Sequence, residues 1–428
     1  MARRAGGDLA GRATIRGLSE TRAASDRAVA AVFREEAGRL TSAMVRILGN
    51  FDVAEEVVQD SLVAALERWP EQGIPDNPGG WLMTTARRKA IDILRRDRRY
   101  AEKIGLLERT GYPMPDGMGT TAGREADDRL RLIFTCCHPA LAPEAQVALT
   151  LRAVAGFTTQ EIAAAFLVSE PTMAQRIVRA KRKIVAANIP YRVPEPADLP
   201  ARLEVVLAVL YLMFNEGYLS LGSAPGMRRD LADDALWLTT LLDRLLPNQG
   251  EVLGLIALMR LNLARSAARF DSDGGMVLLP DQDRSRWDRD GIADGVRLLN
   301  TAALLRRPGP YQLQAAIAAV HAESPSWEAT DWAQVVALYD ALLRMIDTPV
   351  VRLNRAVALS HLRGPEAALG EVNDLAIALS EYHLFHATRA ELLDELGESG
   401  LAREARLRAL ELCQNPAERA LLLRKLSG

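Results

Sequence analysis

The side chains that offer the clearest chemistry lie between Thr172 and Ile184, a stretch rich in cations, with one side-chain amide and no acidic residue. Guanidinium and amide groups can hydrogen-bond to base edges in a DNA major groove, and further cations can hold phosphates. Apolar residues repeat through the same stretch at helical spacing, which predicts one buried stripe. They are Met173, Ile177, Ala180 and Ile184. The opposite face would carry the candidate DNA-binding residues Thr172, Gln175, Arg176, Arg179, Lys181 and Lys183.

A short helix and a tight turn are predicted immediately before this basic helix. Thr158 and Glu161 have the spacing of a capping box, in which each side chain satisfies a free backbone N–H at a helix start. Ser169 can cap the next helix, and Pro171 is tolerated in its first turn. Two capped helices, the second of them basic, predict a helix-turn-helix that enters the major groove. The alternative is a solvated basic helix on an ordinary helical domain.

A second basic helix is predicted over residues 81–99, WLMTTARRKAIDILRRDRR, where seven Arg and Lys outnumber two Asp. An aromatic side chain followed by cations suits melted nucleic acid, because bases stack on the ring while cations hold the phosphates. The alternative for Trp81 is a plain core position.

An acidic helix is predicted before it, because Asp52 to Glu67 contains five acids and no base. Asp52 and Glu55 resemble a capping-box start after Gly49-Asn50. The apolar residues of this helix predict its buried face. The alternative for its acidic residues is that they only form a solvent-exposed face without a binding role. The predicted buried residues are Ala54, Val58, Leu62, Ala65, Leu66 and Trp69. Residues 70–80, PEQGIPDNPGG, are predicted to form a long loop.

The composition favours an all-α protein, because Ala, Leu and Arg are plentiful while aromatic residues make up only 5% of the 428 residues. The formal net charge of −2 gives no global attraction to nucleic acid, so any such attraction depends on local patches. No apolar run approaches the roughly 20 residues of a membrane helix, and no secretory signal is visible. Three cysteines do not make a disulfide framework, so a reducing cytoplasm is expected.

The sequence predicts several successive segments. Residues 1–25 read as a disordered arm, 26–100 as a helical module, 101–127 as a flexible linker and 128–190 as the helix-turn-helix module. A proline-containing linker leads to a helical domain over 201–428. Within it, segments beginning at Arg355 and Arg389 resemble each other 34 residues apart, which is the tetratricopeptide period, and the repeats are expected near 348–415. A plain helical bundle is the alternative.

No catalytic site is predicted. No phosphate-binding loop, G-x-S-x-G turn or dinucleotide-binding motif occurs between a strand and a helix. Cys136-Cys137-His138 lacks a second cysteine pair, and Cys413 is remote in sequence, so buried helix residues are favoured over a metal site. No cofactor and no metal are expected.

Taken in order, these segments resemble a bacterial sigma factor of the two-domain extracytoplasmic-function (ECF) type. FDVAEEVVQDSLVAALERW resembles the region 2 helix that docks on polymerase, and WLMTTARRKAIDILRR resembles the helix that engages the −10 element. GFTTQEIAAAFLVSEPTMAQRIVRAKRKI resembles the region 4 helix-turn-helix that reads the −35 element. LYLMFNEGYLS and LLPDQDRSRWD look typical of a subgroup with a C-terminal tetratricopeptide-like extension.

The resemblance implies a non-enzymatic factor that brings core RNA polymerase to promoter DNA, with a regulatory C-terminal domain that a further protein could bind. The clamp of the largest polymerase subunit would be bound by Asp52, Glu55, Glu56, Gln59 and Asp60. The −10 element would be contacted by Trp81, Thr84, Arg87, Arg88, Asp92, Arg95 and Arg96, and the Arg68–Gly80 loop would hold a flipped base. The family often has Asn where this chain has Arg88.

Two other functions remain open at this point. A stand-alone helix-turn-helix regulator with a sensing domain would not need the segment from Asp52 to Arg99. A helical-repeat adaptor without a nucleic-acid role would tolerate charge reversal at Arg176 and Arg179.

Overall fold

The computed structural model describes residues 29, 32, 36–104, 121–166, 168–219, 229–271, 275–413 and 415–427. The regular elements of these residues are helices, and the β-pairing found among them is an isolated bridge between Phe270 and Met276. The all-α prediction is therefore confirmed. None of the described helices is both long and apolar enough to cross a membrane. The chain divides into two compact units, Met1–Val209 and Leu210–Gly428.

The first unit contains two groups of helices. The first group comprises α1 (36–48), α2 (Phe51–Gln72) and α3 (Pro78–Ile104). The second comprises α4 (Thr121–Cys136), α5 (Pro143–Ala153), α6 (Thr159–Ala165) and α7 (Glu170–Ala186). Helix α8 (Leu199–Leu219) spans the division between the two units.

Helices α1, α2 and α3 enclose one apolar core. Leu40, Met44 and Leu82 are fully buried in it, and Trp69 is 2% exposed. Helix α2 starts differently from the sequence prediction, because Asn50 accepts the N–H groups of Asp52 and Val53. The Asp52–Glu55 capping box was therefore wrong. Leu66 is also a correction, because this predicted core residue is 38% exposed.

The predicted loop over residues 70–80 is much shorter in the structure. Helix α2 continues through Pro70 to Gln72, and α3 already begins at Pro78, so the connection comprises residues 73–77. Asn77 accepts the N–H of Gly80 at 2.9 Å, as an N-cap does. Proline is favoured at the first helical position because the missing N–H would have no partner there. Asn77-Pro78 therefore starts a helix where the composition indicated a loop.

The predicted linker over residues 101–127 is helical at both ends. Helix α3 continues to Ile104, and α4 begins at Thr121. The centre of that predicted linker, residues 105–120, and the predicted arm, residues 1–25, lie outside the described residues.

The helix-turn-helix has the predicted local structure. The N–H of Thr158 donates to Glu161 Oε2 at 2.7 Å, and the N–H of Glu161 donates to Thr158 Oγ1 at 3.1 Å, so the capping box is confirmed. Ser169 is the N-cap of α7 and accepts the N–H of Thr172. The four residues of the predicted stripe are the buried residues of α7. They anchor this helix and leave its other side facing outward.

The second unit continues with ten helices and three short 3-10 turns among its described residues. The helices are α9 (Arg229–Leu245), α10 (Gly250–Leu263), α11 (Arg289–Leu304), α12 (Pro310–Glu323), α13 (Trp332–Leu343), α14 (Pro349–Arg363), α15 (Pro365–Asn373), α16 (His383–Glu395), α17 (Ser399–Leu412) and α18 (Pro416–Ser427). The three 3-10 turns, Ser266–Ala268, Leu279–Asp281 and Arg284–Arg286, lie between α10 and α11.

The later helices of this unit recur at a constant offset. Helices α14 and α16 begin 34 residues apart, at Pro349 and His383. Helices α15 and α17 begin 34 residues apart as well, at Pro365 and Ser399. This offset matches the period of the sequence repeat, while a tetratricopeptide identity for the unit stays a prediction.

Close backbone approach holds α10 against α12 earlier in the unit. A Cβ atom added to Gly254 would lie 2.7 Å from Gln312 Cγ, so only glycine fits at this position. Glu251 accepts the N–H groups of Tyr311 and Gln312 and so caps α12 from a neighbouring helix. The glycine contact and the helix cap each join residues about 60 positions apart in the sequence.

Candidate nucleic-acid interface

The outer face of α7 presents most of the predicted duplex-binding residues. Thr172, Gln175, Arg179 and Lys183 are exposed, and Arg176 is partly exposed. At 3.6 residues per turn these five side chains span an arc of about 100°. Arg179 Nη2 donates to Gln175 Oε1 at 3.2 Å, which aligns an amide beside a guanidinium. This surface offers hydrogen-bond donors for base edges and cations for phosphates without an acidic side chain among them.

Lys181 lies on a different side of the same helix. Nine residues after Thr172, it is rotated by about 180° from that residue. Its ammonium group donates to Asp52 Oδ1 at 3.0 Å and to Glu55 Oε2 at 2.5 Å, and its side chain is only 12% exposed. We therefore leave Lys181 out of the DNA-binding set. The position of Lys181 on the other side of the helix could be predicted from the sequence, but its partner Glu55, 126 residues away, could not.

Helix α3 carries its cations on the surface. Thr84, Arg88, Asp92, Arg95 and Arg96 are exposed, and Arg87 is partly exposed. The ring of Trp81 is partly buried and lies edge-to-face against Trp69, with 5.7 Å between ring centroids. Trp81 thus packs at the edge of the core, so it has a structural role whether or not a base also stacks on its ring. The exposed face is basic on balance, although Asp92 lies among its arginines and pairs with Arg95.

The acidic side of α2 is at the surface, but several of its carboxylates already have partners. Asp52, Glu56 and Asp60 are exposed, while Glu55 and Gln59 are partly buried. Asp60 accepts a hydrogen bond from Lys89 at 2.9 Å. Arg152 Nε donates to Glu55 Oε1 at 2.6 Å, and Lys181 takes the other oxygen of the same carboxylate. Glu55, a predicted polymerase-binding residue, is therefore bonded to Lys181 of α7, which was predicted to bind DNA. It is also bonded to Arg152 of α5, for which the sequence predicted no role.

The electrostatics of this cluster favour the charged forms of Glu55 and Lys181. Burial alone would raise the pKa of Glu55, but the positive charge of Arg152 and the hydrogen bond from Lys181 outweigh it and hold the pKa below its usual 4.5. Burial alone would lower the pKa of Lys181, but hydrogen bonds and charges from Glu55 and Asp52 raise it above its usual 10.5. Each partner therefore stabilises the charged form of the other.

Further contacts join the two helix groups. A Cβ atom added to Gly38 of α1 would lie 2.7 Å from the carbonyl oxygen of Val154, at the end of α5. The Tyr191 hydroxyl lies 2.9 Å from the carbonyl oxygen of Ser42 and 3.0 Å from that of Asp128. Arg46 of α1 pairs with Asp128 of α4 at 2.7 Å, and the Asp128 side chain is only 4% exposed. Sequence reasoning missed these residues, because no local pattern marks a contact of this range.

The cysteines and histidines are placed as follows. Cys136 and Cys137 are buried in the first unit, as predicted, and desolvation raises the pKa of the Cys137 thiol to about 12. In the second unit His383, Cys413 and Glu418 bring one potential ligand atom each within 4.8 Å of one another. Glu418 Oε2 lies 2.8 Å from His383 Nε2 and 3.6 Å from the Cys413 sulfur, so a hydrogen-bonded triad accounts for this group.

Three protein families match successive parts of the chain. Sigma-70 region 2 matches residues 32–100, which include α1 to most of α3. Sigma-70, region 4 matches residues 131–184, which include the helix-turn-helix. A family described as "Family of unknown function (DUF6596)" matches residues 202–303.

Similar proteins fall into two kinds. An uncharacterised protein of Rhizobium meliloti (strain 1021) is 44% identical over 385 residues, which cover 89% of this chain and 90% of the relative. The ECF RNA polymerase sigma factor SigL of Mycobacterium tuberculosis is 27% identical over 171 residues, 39% of this chain and 92% of the relative. The probable ECF RNA polymerase sigma factor SigI of the same species is 28% identical over 172 residues, 40% of this chain and 58% of the relative. No solved structure gives a significant match.

Proposed function

The chain belongs to the extracytoplasmic-function sigma factor family, and from that premise we propose that it directs core RNA polymerase to specific promoters. Membership implies binding to core RNA polymerase and to promoter DNA, with the polymerase performing the chemistry. The observation that carries the proposal is the order of the two matched modules, each with an exposed charged face of the sign its partner requires.

The acidic face of α2 is the proposed polymerase-docking surface. It consists of Asp52, Glu55, Glu56, Gln59 and Asp60. An anionic helix face complements a basic partner surface, which speeds encounter and fixes orientation more than it adds affinity. We assign the clamp of the largest polymerase subunit as that partner.

The basic face of α3 is the proposed −10 surface. Its exposed arginines, Arg88, Arg95 and Arg96, would track the phosphates of the melted strand. A flipped base would be held near the connection over residues 73–77, which is shorter than the Arg68–Gly80 loop expected from the sequence. Extruding a base costs a few kcal/mol, which stacking and pocket contacts must offset.

The outer face of α7 is the proposed −35 reader. Gln175 and Arg176 lie in the first half of the helix, the part with which recognition helices contact base edges, and Arg179 follows about one turn later. A well-placed bidentate contact is worth roughly 1–3 kcal/mol of discrimination between bases. Lys183 lies further along and would hold a phosphate.

The second unit is proposed to regulate these steps. Its helices recur with the 34-residue offset described above, and stacked helical repeats commonly bind protein partners. A chain ending near Pro194, before α8 begins, should start transcription at the same sites as the full chain but at a different level. Equal levels from the two folded chains would remove the regulatory role.

Reconstituted transcription tests the proposed function. Core polymerase with the full chain should initiate at defined sites that core polymerase alone does not use. Reversing the charge of Arg176 and Arg179 should abolish initiation while leaving core binding intact, whereas reversing Glu56 and Asp60 should abolish core binding. Tight binding to a duplex operator without any polymerase-dependent initiation would instead support a stand-alone regulator.

A further inference from the structure

We propose that the acidic face of α2 is also the docking site for this chain's own region 4, so that closure of the two modules competes with core polymerase. This inference rests on the proposed function. The contact, called the latch here, consists of Lys181 bonded to Asp52 and Glu55, and Arg152 bonded to Glu55. Two residues of the proposed polymerase surface are therefore occupied from within the chain.

The latch is a built site rather than a chance pairing of mobile surface charges. Each oxygen of Glu55 has its own cation, Oε1 receiving Arg152 from α5 and Oε2 receiving Lys181 from α7. Arg152 is fixed in turn because its Nη1 donates to the carbonyl of Phe157 at 3.0 Å. The Arg152, Lys181 and Glu55 side chains are 18%, 12% and 26% exposed, so solvent screens them less than it screens a surface pair.

Shape complementarity supports the latch on the α1 side. The absence of a side chain at Gly38 lets α1 approach the Val154 carbonyl, and both residues are buried. Tyr191 packs against the region 2 core and points its hydroxyl at carbonyls from both modules. Exposed salt bridges alone contribute little, so the close packing at Gly38 and the hydrogen bonds of Tyr191 are needed to stabilise the closed state.

The closed arrangement is incompatible with simultaneous binding of both promoter elements. Elements about 20 base pairs apart, at a rise of roughly 3.4 Å per pair, are separated by on the order of 70 Å. Lys181 lies on the proposed −35 helix and contacts region 2 directly. Promoter binding by both modules must therefore break the latch, and so must a polymerase contact with Asp52 and Glu55.

The latch leaves the outer face of α7 uncovered, which makes its effect selective. Gln175, Arg179 and Lys183 remain exposed in the closed state. Closure should therefore weaken polymerase binding without weakening binding of region 4 to an isolated −35 duplex. The apparent affinity for polymerase falls in proportion to the fraction of open chain.

A matched pair of lysine variants of the full chain tests this competition. Lys181→Gln removes both lysine bonds of the latch and leaves Asp52 and Glu55 in place, so core polymerase should bind about 5- to 50-fold more tightly. Lys183→Gln, on the outer face of the same helix, should leave core affinity unchanged and weaken the −35 duplex complex. Unchanged or weaker core binding by a folded Lys181→Gln chain would overturn the latch. Failure of the wild-type chain to support initiation would overturn the proposed function instead.

Zero-length cross-linking tests the same contact without relying on a loss of charge. A carbodiimide should join the Lys181 amine to the Glu55 carboxyl as an amide with loss of water, because the two groups are in contact. The joined fraction, identified by mass spectrometry of its peptides, should fail to bind core polymerase. A Lys181→Arg chain keeps a cation at this position but forms no such amide. The same treatment can still join pairs such as Lys89 and Asp60 in both chains, so core binding by the Lys181→Arg chain should fall less than that of the parent. Core binding by the Lys181–Glu55 cross-linked fraction equal to that of untreated chain would contradict the inference.

Discussion

Replacement of Gly38 by alanine separates closure of the two modules from the chemistry of their binding surfaces. Gly38 lies within α1 and belongs neither to the acidic face of α2 nor to the basic face of α7. The added methyl group would lie 2.7 Å from the Val154 carbonyl oxygen, closer than a carbon and an oxygen can approach. The backbone of α1 or the end of α5 must therefore withdraw, which weakens the closed state.

The expected magnitude follows from two opposing effects. Overpacking of a buried contact typically costs about 1–3 kcal/mol, equivalent to roughly a 5- to 150-fold shift toward the open form. Alanine within a helix is also more stable than glycine by about 0.5–1 kcal/mol, but this gain stabilises α1 in the open and closed forms alike. Gly38→Ala should therefore open the modules without lowering the thermal stability of region 2.

Energy transfer between dyes on the two modules measures the opening. Cysteines introduced at Glu67 and Val185 occupy exposed positions on α2 and α7. The native thiols at Cys136, Cys137 and Cys413 are buried, and burial raises the pKa of each, so they should react slowly. The Gly38→Ala chain should show lower transfer efficiency and tighter binding to core polymerase than the parent.

Gly370→Ala is the matched control, because Gly370 lies in helix α15 with no atom within 4 Å of an added Cβ. It should raise helix propensity without any change in transfer efficiency. If Gly38→Ala gave the same high transfer efficiency as the parent, with the chain folded, the reasoning about closure would be refuted.

Three further predictions concern other parts of the chain. Arg176→Gln should weaken binding to a −35 duplex by about 1–3 kcal/mol and leave core affinity unchanged; fluorescence anisotropy across a salt series measures both. Glu251→Ala removes the cap of α12 and should lower the free energy of unfolding of the second unit by roughly 0.5–2 kcal/mol in a urea titration. Because the pKa of Glu55 is depressed, its contribution to closure is lost as pH falls below the usual 4.5; dye transfer should drop there, and Glu55→Gln should abolish that step.

Local features were predictable because their causes lie within a few residues. The capping box of Thr158 and Glu161, the Ser169 cap and the buried stripe of α7 all follow from spacing along one helix, and the structure confirms them. The prediction of a loop over residues 70–80 was wrong because it relied on composition and not on residue order. Proline and glycine composition indicated a loop, while Asn77 followed by Pro78 started a helix.

The relation between the two modules could not be predicted from spacing. Arg152 and Glu55 are 97 residues apart, and nothing in their neighbourhoods marks them as partners. Gly38 reads as an ordinary helical glycine until the Val154 carbonyl is placed beside it. Lys181 was assigned to DNA by its charge, although its helical phase already separated it from Arg176 and Arg179.

The most direct test of the central claim is transcription of a genomic fragment library by core RNA polymerase with and without the full chain, with transcript starts mapped by sequencing. The account predicts new starts that appear only with the chain, share two sequence elements upstream, and vanish when Arg176 and Arg179 are reversed in charge. Identical start sites with and without a folded chain would contradict it.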